Sequence, residues 1–418
     1  MPAAASMVAF LGGCFLSSDL SDTAFLCAED PICPDGLTCV DGRCVSSGDG
    51  PDGGAGGGGQ GSDADGGGGG GGGGDGVGGD ADAGVLPPGF AFREQLTIDN
   101  VGRGELIDFP LLVVLDGDRI DYGAVRGDGG DVAFTDAGGA PLAHEIERWE
   151  PGGRSIVWVR VPRIEAGSGS TSIFMYYGDP EATVDSDQEA VWSAYEEVYH
   201  LDGSGGQIDD AAARDYDGTP AGGGDAPGFI GLGRSLDGFG QLIDLGGGRD
   251  FGRAAPGLTV EAWVHPQAAQ QSVVVGAATG TSTSSRVELR FDADQTLRGG
   301  ARTQDDGQFL ATSTLEPLPL DDWSWVALVC DFEAGEVAIY INDHQSIATG
   351  GLPLDATTPD TPSLRAVIGA NETLDTQFFT GLLDEVRIAP SALPPDWIAA
   401  QNASMRDQLV SYGAPEAL

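Results

Sequence analysis

Lysine is absent from this chain of 418 residues: its 20 basic residues are all arginine and face 65 acidic ones, for a formal net charge of −45. Nucleic acid is bound by clustered cations, so this balance argues against a nucleic-acid partner. Histidine is also sparse, and His144, His200, His265 and His344 show no H-E-x-x-H or other zinc spacing. They read as ordinary polar residues. No run approaches the roughly eighteen uninterrupted apolar residues of a membrane span. A G-x-S-x-G elbow is missing, and the glycine-rich run is followed by neither Lys-Ser/Thr nor a helix, which removes two frequent enzyme signatures. The acidity itself reads as a soluble, self-repelling surface, and its carboxylates are oxygen ligands of the kind that Ca2+ takes.

What is present is unevenly distributed. Cys27, Cys33, Cys39 and Cys44 crowd into CAEDPICPDGLTCVDGRC, where Pro and Gly turns bring sulfurs together without a hydrophobic core. Two disulfides are expected there, with three pairings open; a tetrathiolate zinc site is the competing reading, but its usual C-x2-C pairs are missing. Cys330 lies in the apolar run WVALVC and reads as a small buried hydrophobe. Residues 46–86 are mostly Gly, Asp, Ala and Ser, including an unbroken run from Gly66 to Gly74. Such a segment buries too little to fold, and as coil it would span about 35 Å on average. Neither that run nor the cluster from Asp116 to Asp121 fits a calcium-binding repeat or an EF-hand loop.

Small and apolar residues from Ala3 to Leu11 lead into Leu11-Gly12-Gly13-Cys14, which resembles the lipobox of bacterial lipoprotein signal peptides. The apolar stretch is short, and no Arg or Lys precedes it. The resemblance implies cleavage after residue 13 and lipidation of Cys14, with several acyl chains giving a stable membrane anchor. Phe15 supplies no Asp-type retention signal, which favours the outer membrane.

After Pro87-Pro88 the texture becomes that of strands. QLTIDN, DFPLLVVL, DVAFTD, RSIVWVRVP and SIFMYYG are short runs rich in β-branched and aromatic residues, separated by Gly, Asp and Pro turns. A second series runs from EEVYHLDG to FTGLLDEVRIA, and one helix is expected after Pro394-Pro395, with Trp397, Ile398, Met405 and Leu409 on one face. Alternation in VEAWV puts Val260, Ala262 and Val264 on one face and Glu261 with Trp263 on the other. In LDEVRI, Leu383, Val386 and Ile388 are core candidates, whereas Asp384, Glu385 and Arg387 interrupt the strand, some of them facing solvent or a ligand.

TVEAWVHP, WSWVALVCDFEAGEVAIYIND and FTGLLDEVRIAPSAL, in that order, resemble the concanavalin A-like, laminin-G-type jelly roll. The preceding unit, from FREQLTIDN to VYHLDG, resembles an uncharacterised bacterial and archaeal β domain that often precedes such jelly rolls, and PPDWIAAQNAS resembles the short helix that follows them. The expected organisation is a signal peptide (1–13), a lipid-anchored cysteine-rich segment (14–45), a disordered linker (46–86), a β-sandwich of unknown function (87–190), the jelly roll (191–393), and a helix with tail (394–418). The fold class is all-β, with two β-sandwich domains.

Laminarinase-type glycosidases share this jelly roll and commonly carry E-x-D-x-E on one strand; no such motif occurs, and the adjacent carboxylates of DEVRI should point to opposite faces. A catalytic pair is therefore not expected. The resemblance implies a Ca2+ site, for which Asp202 in the first strand and Asp384 in the last are candidates if those strands are neighbours, against the alternative of solvated edge carboxylates. Trp263, Trp323, Trp325 and Tyr340 are more readily core than sugar platforms. The function expected is a non-catalytic binding or adhesion module for carbohydrate or another envelope protein, displayed on the cell envelope, with loops at one end of the sandwich making the contacts. A purely structural envelope protein and a polysaccharide hydrolase are the alternatives.

Overall fold

The computed structural model describes two strands, Leu37–Val40 and Arg43–Ser46, and residues 89–418 apart from 168, 185, 204–205, 250–251 and 353–356. The chain divides into a unit ending at Gly78 and another beginning at Gly79. In the first unit, the two strands form an antiparallel pair with Cys39 opposite Cys44. Cys14, Cys27, Cys33 and the linker lie outside the described residues, as do the side chains of Cys39 and Cys44.

The regular structure of the second unit is nearly all strand, as the alternating apolar runs require, and 44% of the described residues are strand against 5% helical. Its first module is a sandwich of two antiparallel sheets. One sheet centres on Phe92–Ile98 and Thr171–Tyr177, with Ala133–Asp136 and Pro141–Leu142 beyond the latter. The other sheet places Ser155–Ile164 between Leu106–Leu115 and His144–Arg148. Every residue from Phe109 to Leu115 is buried, so this strand is covered on both faces.

The second module stacks an eight-stranded sheet on a seven-stranded one. In the larger sheet, Gly257–Pro266 lies between Ser324–Asp331 and Thr380–Ala389, and Glu197–Tyr199 also pairs with Thr380–Ala389. Period-two alternation then sorts side chains between two cores. Val260, Ala262 and Val264 face the seven-stranded sheet together with Val326, Leu328 and Cys330. Trp263, Trp325, Ala327 and Tyr340 point the other way, into a core shared with Trp158 of the first module and with Trp192 just past it. The central strands of the eight-stranded sheet are thus buried on both faces, and the two modules share one hydrophobic interior.

The C-terminal segment closes this arrangement. The helix Pro395–Met405 begins with proline, tolerated in the first turn because its missing N–H would lack an intrahelical acceptor there. Trp397, Ile398, Met405 and Leu409 are all buried, as their spacing predicts. Trp397 packs edge-on against Phe109, with ring centroids 5.1 Å apart, and the Ser404 hydroxyl accepts the Leu112 N–H at 2.9 Å. Beyond the helix, Val410–Tyr412 and Glu416–Ala417 pair with Phe92–Ile98, so the last residues complete the first module's sheet.

Candidate functional site

Two polar arrangements stand out in the second unit, one on an outward sheet face and one buried between the modules. The first is the outward face of the seven-stranded sheet, part of which the residues Leu374 and Phe378 cover by packing on Leu242, Val367 and Ala370. Among the described residues, the apolar side chains of the first module pack against the eight-stranded sheet and none against the seven-stranded one. On the strand Ser285–Phe291, Val287, Leu289 and Phe291 enter the sandwich core, which turns Glu288 and Arg290 outward. Arg290 bonds Glu288 at 3.0 Å and Asp292 at 3.1 Å, forming an E-x-R-x-D ladder with the cation in the middle. Glu372 approaches from the loop after Ala366–Ile368, and one of its oxygens, Oε1, is buried without a hydrogen-bond partner. Gly276 makes that approach possible, since a Cβ there would lie 3.2 Å from Glu372 Oε1. Burial raises both Glu288 and Glu372, with Arg290 pulling Glu288 back.

The buried arrangement forms where the strand His144–Arg148 of the first module meets Thr380–Ala389 of the second. His200 is central: its Nδ1 lies 2.8 Å from Glu385 Oε1 and 3.5 Å from Glu147 Oε2, and its Nε2 lies 3.4 Å from Glu145 Oε2. Indole N–H groups hold both glutamates of the first module, Trp158 donating to Glu147 at 2.7 Å and Trp192 to Glu145 at 2.6 Å. Arg387 donates to Glu385 and, at 2.9 Å, to Gln401, with its guanidinium 4.5 Å from the ring centres of both Trp158 and Trp192. Two N–H bonds to the single oxygen Glu385 Oε2 and cation–π contact account for an arginine that is fully buried.

The electrostatics follow from crowding acids in a dry place. Burial, opposed by His200, pushes Glu147 up to about 8, and burial together with Glu385 pushes Asp384 well up. For His200, burial alone would favour the neutral ring, but Glu385, Glu145 and Glu147 outweigh it and hold the imidazole protonated. Burial would likewise raise Glu385, yet His200 and Arg387 hold it below the usual carboxylate range.

The two carboxylates singled out in the sequence lie in this region. The strands that carry the argument are neighbours, because Glu197–Tyr199 pairs with Thr380–Ala389. Asp202 is not within the strand but three residues past its end, with its pKa raised by burial and modulated by His200 and Glu385. Asp384 is fully buried, its Oδ2 accepting the Ile230 N–H at 2.8 Å and its Oδ1 left without a partner. Two sequence expectations need correction. None of Asp384, Glu385 and Arg387 reaches solvent. Nor do the adjacent carboxylates point to opposite faces: Glu385 has φ 50° at a register shift, and Leu383, Val386 and Ile388 all stay in the sandwich core. The bulge inserts one residue, so Asp384 and Glu385 both face the first module.

His200 is therefore not the ordinary polar residue that its isolation suggests. The strand HEIER also escaped the sequence reading; its signal was Glu145 and Glu147 two apart, hence on one face. Trp263, Trp325 and Tyr340 are core, as expected, while Trp323 is half-buried.

Residues 240–399 match the model of the concanavalin A-like lectin/glucanase superfamily, and residues 128–211 match a domain of unknown function, DUF2341. The chain thus carries one domain of each kind. Among curated proteins none matches it. Solved structures similar to it include domain 4 of an extracellular arabinanase from Geobacillus stearothermophilus in complex with arabinotriose, at 21% identity and TM-score 0.36, covering 49% of this chain and 96% of that one. A SAP-like pentraxin from Limulus polyphemus matches at 15% identity and TM-score 0.33 over 46% and 96% of the two chains. The sialidase of Trypanosoma rangeli matches at 14% and TM-score 0.40, covering 60% of this chain but 41% of the sialidase. Likeness at this level speaks to neither ligand nor activity.

Proposed function

We propose that this chain is a cell-envelope lipoprotein, anchored through Cys14 and displayed on the outer membrane, whose second module is a non-catalytic carbohydrate-binding surface. One observation supports the reading best: of the sandwich's two sheets, the eight-stranded one is packed against by the first module, whereas the outward face of the seven-stranded sheet is covered only in part, by Leu374 and Phe378 over Leu242 and Val367, and keeps the half-buried Arg290 beside Glu288 and Glu372. That face offers what sugar hydroxyls bond to, namely the Glu288–Arg290–Asp292 ladder and the unpartnered Glu372 oxygen. The ligand surface is then a sheet face rather than the rim loops alone. Arg290, set between two carboxylates, suits hydrogen bonding more than acid–base work, which needs two carboxyl groups placed across a glycosidic bond.

Equilibrium titration of the full chain against a panel of soluble polysaccharides tests this. Binding to at least one member, weakened tenfold or more by Arg290→Ala and by Glu288→Gln, is expected. No binding across the panel overturns it, and so does binding that both variants retain. Because Glu288 and Glu372 are both raised by burial, a glycosidase is the second reading, marked by release of reducing ends that Glu372→Gln abolishes. Membrane extraction followed by intact-mass measurement checks the anchor: acyl mass on a chain beginning at Cys14 is expected, and an unmodified N-terminus refutes it.

A further inference from the structure

We infer that Glu147, His200 and Glu385 bind a divalent transition-metal ion, Zn2+ by ligand type, which clips the two modules together. Each residue offers one ligand atom, and the three atoms lie within 4.8 Å of one another. An independent observation also points to a cation ligand. Asp384, fully buried and turned by the bulge to the same side as Glu385, has an oxygen with no partner. Glu147 Oε1 is likewise buried and unpartnered. Five carboxylates, Glu145, Glu147, Asp202, Asp384 and Glu385, share this region with two cationic groups, Arg387 and His200. An imbalance of that kind away from water calls for bound protons or a bound ion.

The surroundings are built as a metal site's supports are. The ion would take the place of the Nδ1 proton, which leaves to solvent, and the neutral His200 would then turn Nε2–H toward Glu145 Oε2, 3.4 Å away, where Trp192 holds that carboxylate in place. A ligating histidine commonly donates its other N–H to a carboxylate in this way. Trp158 fixes Glu147 similarly, and Arg387 occupies the Glu385 oxygen that does not face His200. The imidazole selects the ion: Ca2+ takes six to eight oxygens, whereas one nitrogen and a few carboxylate oxygens suit Zn2+. The inference thus keeps Asp384 near the site but changes the ion from the Ca2+ that the sequence suggested.

The test uses the full chain stripped with a chelator and titrated with Zn2+, Mn2+ and Ca2+, reading stoichiometry and Tm. One Zn2+ per chain is expected at this site, with Tm rising by roughly 5–10 °C. Glu147→Gln keeps an acceptor for the Trp158 N–H, so it should fold while losing at least tenfold in zinc affinity. Replacement by Co2+ should give a spectrum without thiolate charge-transfer bands. Failure of Zn2+ to bind or to raise Tm overturns the proposal, as does a preference for Ca2+. Zinc binding that survives Glu147→Gln, or whose Co2+ form shows thiolate bands, places the ion at the cysteines and also overturns it.

Discussion

Replacing Glu197 by glutamine should make the protein more stable in alkaline solution and leave it nearly unchanged in acid. Glu197 sits in the strand Glu197–Tyr199, opposite Ile388, and is 1% exposed. Burial, reinforced by Asp210 and Glu196, pushes its carboxyl up to about 8. The local bonding agrees with a protonated group. Tyr199 Oη lies 2.8 Å from the Tyr216 carbonyl and 3.2 Å from Glu197 Oε2, and its single proton serves only one of them. If the phenol donates to the carbonyl, a protonated Glu197 donates to the phenol oxygen and both are satisfied. The folded state therefore holds a proton that the unfolded chain releases near pH 4.5. The resulting stability is fully present below that pH and is lost as pH rises through about 8. At 1.36 kcal/mol per pH unit the upper bound is about 5 kcal/mol, and rearrangement around the ionised group reduces the working figure to about 3 kcal/mol. Glutamine copies the protonated form, since its amide donates to Tyr199 and never ionises. Calorimetry of both proteins from pH 5 to pH 9 should show transitions that nearly coincide at pH 5. They should separate by about 6 °C at pH 9, taking roughly 2 °C per kcal/mol for a unit of this size. Parallel curves, or a variant less stable throughout, would refute the reasoning.

Two further outcomes follow from the shared interior. Residues 87–190 produced alone should fail to fold cooperatively, because the strands at 410–417 and the cover from Trp263, Trp325 and Trp397 are missing; near-UV circular dichroism of the fragment checks this. Cys330, whose thiol burial pushes up to about 12, should resist alkylation in the native protein and react fully in denaturant, read by peptide mass mapping.

The strands were legible because their signal is local. Alternation in VEAWV sorts side chains between two faces whatever packs on them, and WVALVC announces a buried strand by composition. What alternation cannot say is what lies beyond a face, so Glu261 with Trp263 could be placed together but not against Tyr195 and Met405 of distant segments. The buried cluster was hidden for a related reason. Glu145, His200 and Glu385 lie far apart in the chain and meet only through module packing, and the bulge at Glu385 reverses the face that simple counting assigns to Asp384. Asp202 and Asp384 could be linked because neighbouring first and last strands are a property of topology rather than of spacing.

The strand Phe92–Ile98 is flanked by Thr171–Tyr177 on one side and by the chain's final strands on the other. A pull delivered through the residues before Gly89 would run along that strand's length. Hydrogen bonds on both sides would then resist in parallel, as in shear, instead of parting one at a time like a zip. The strands Val410–Tyr412 and Glu416–Ala417 would thereby brace Phe92–Ile98 against tension.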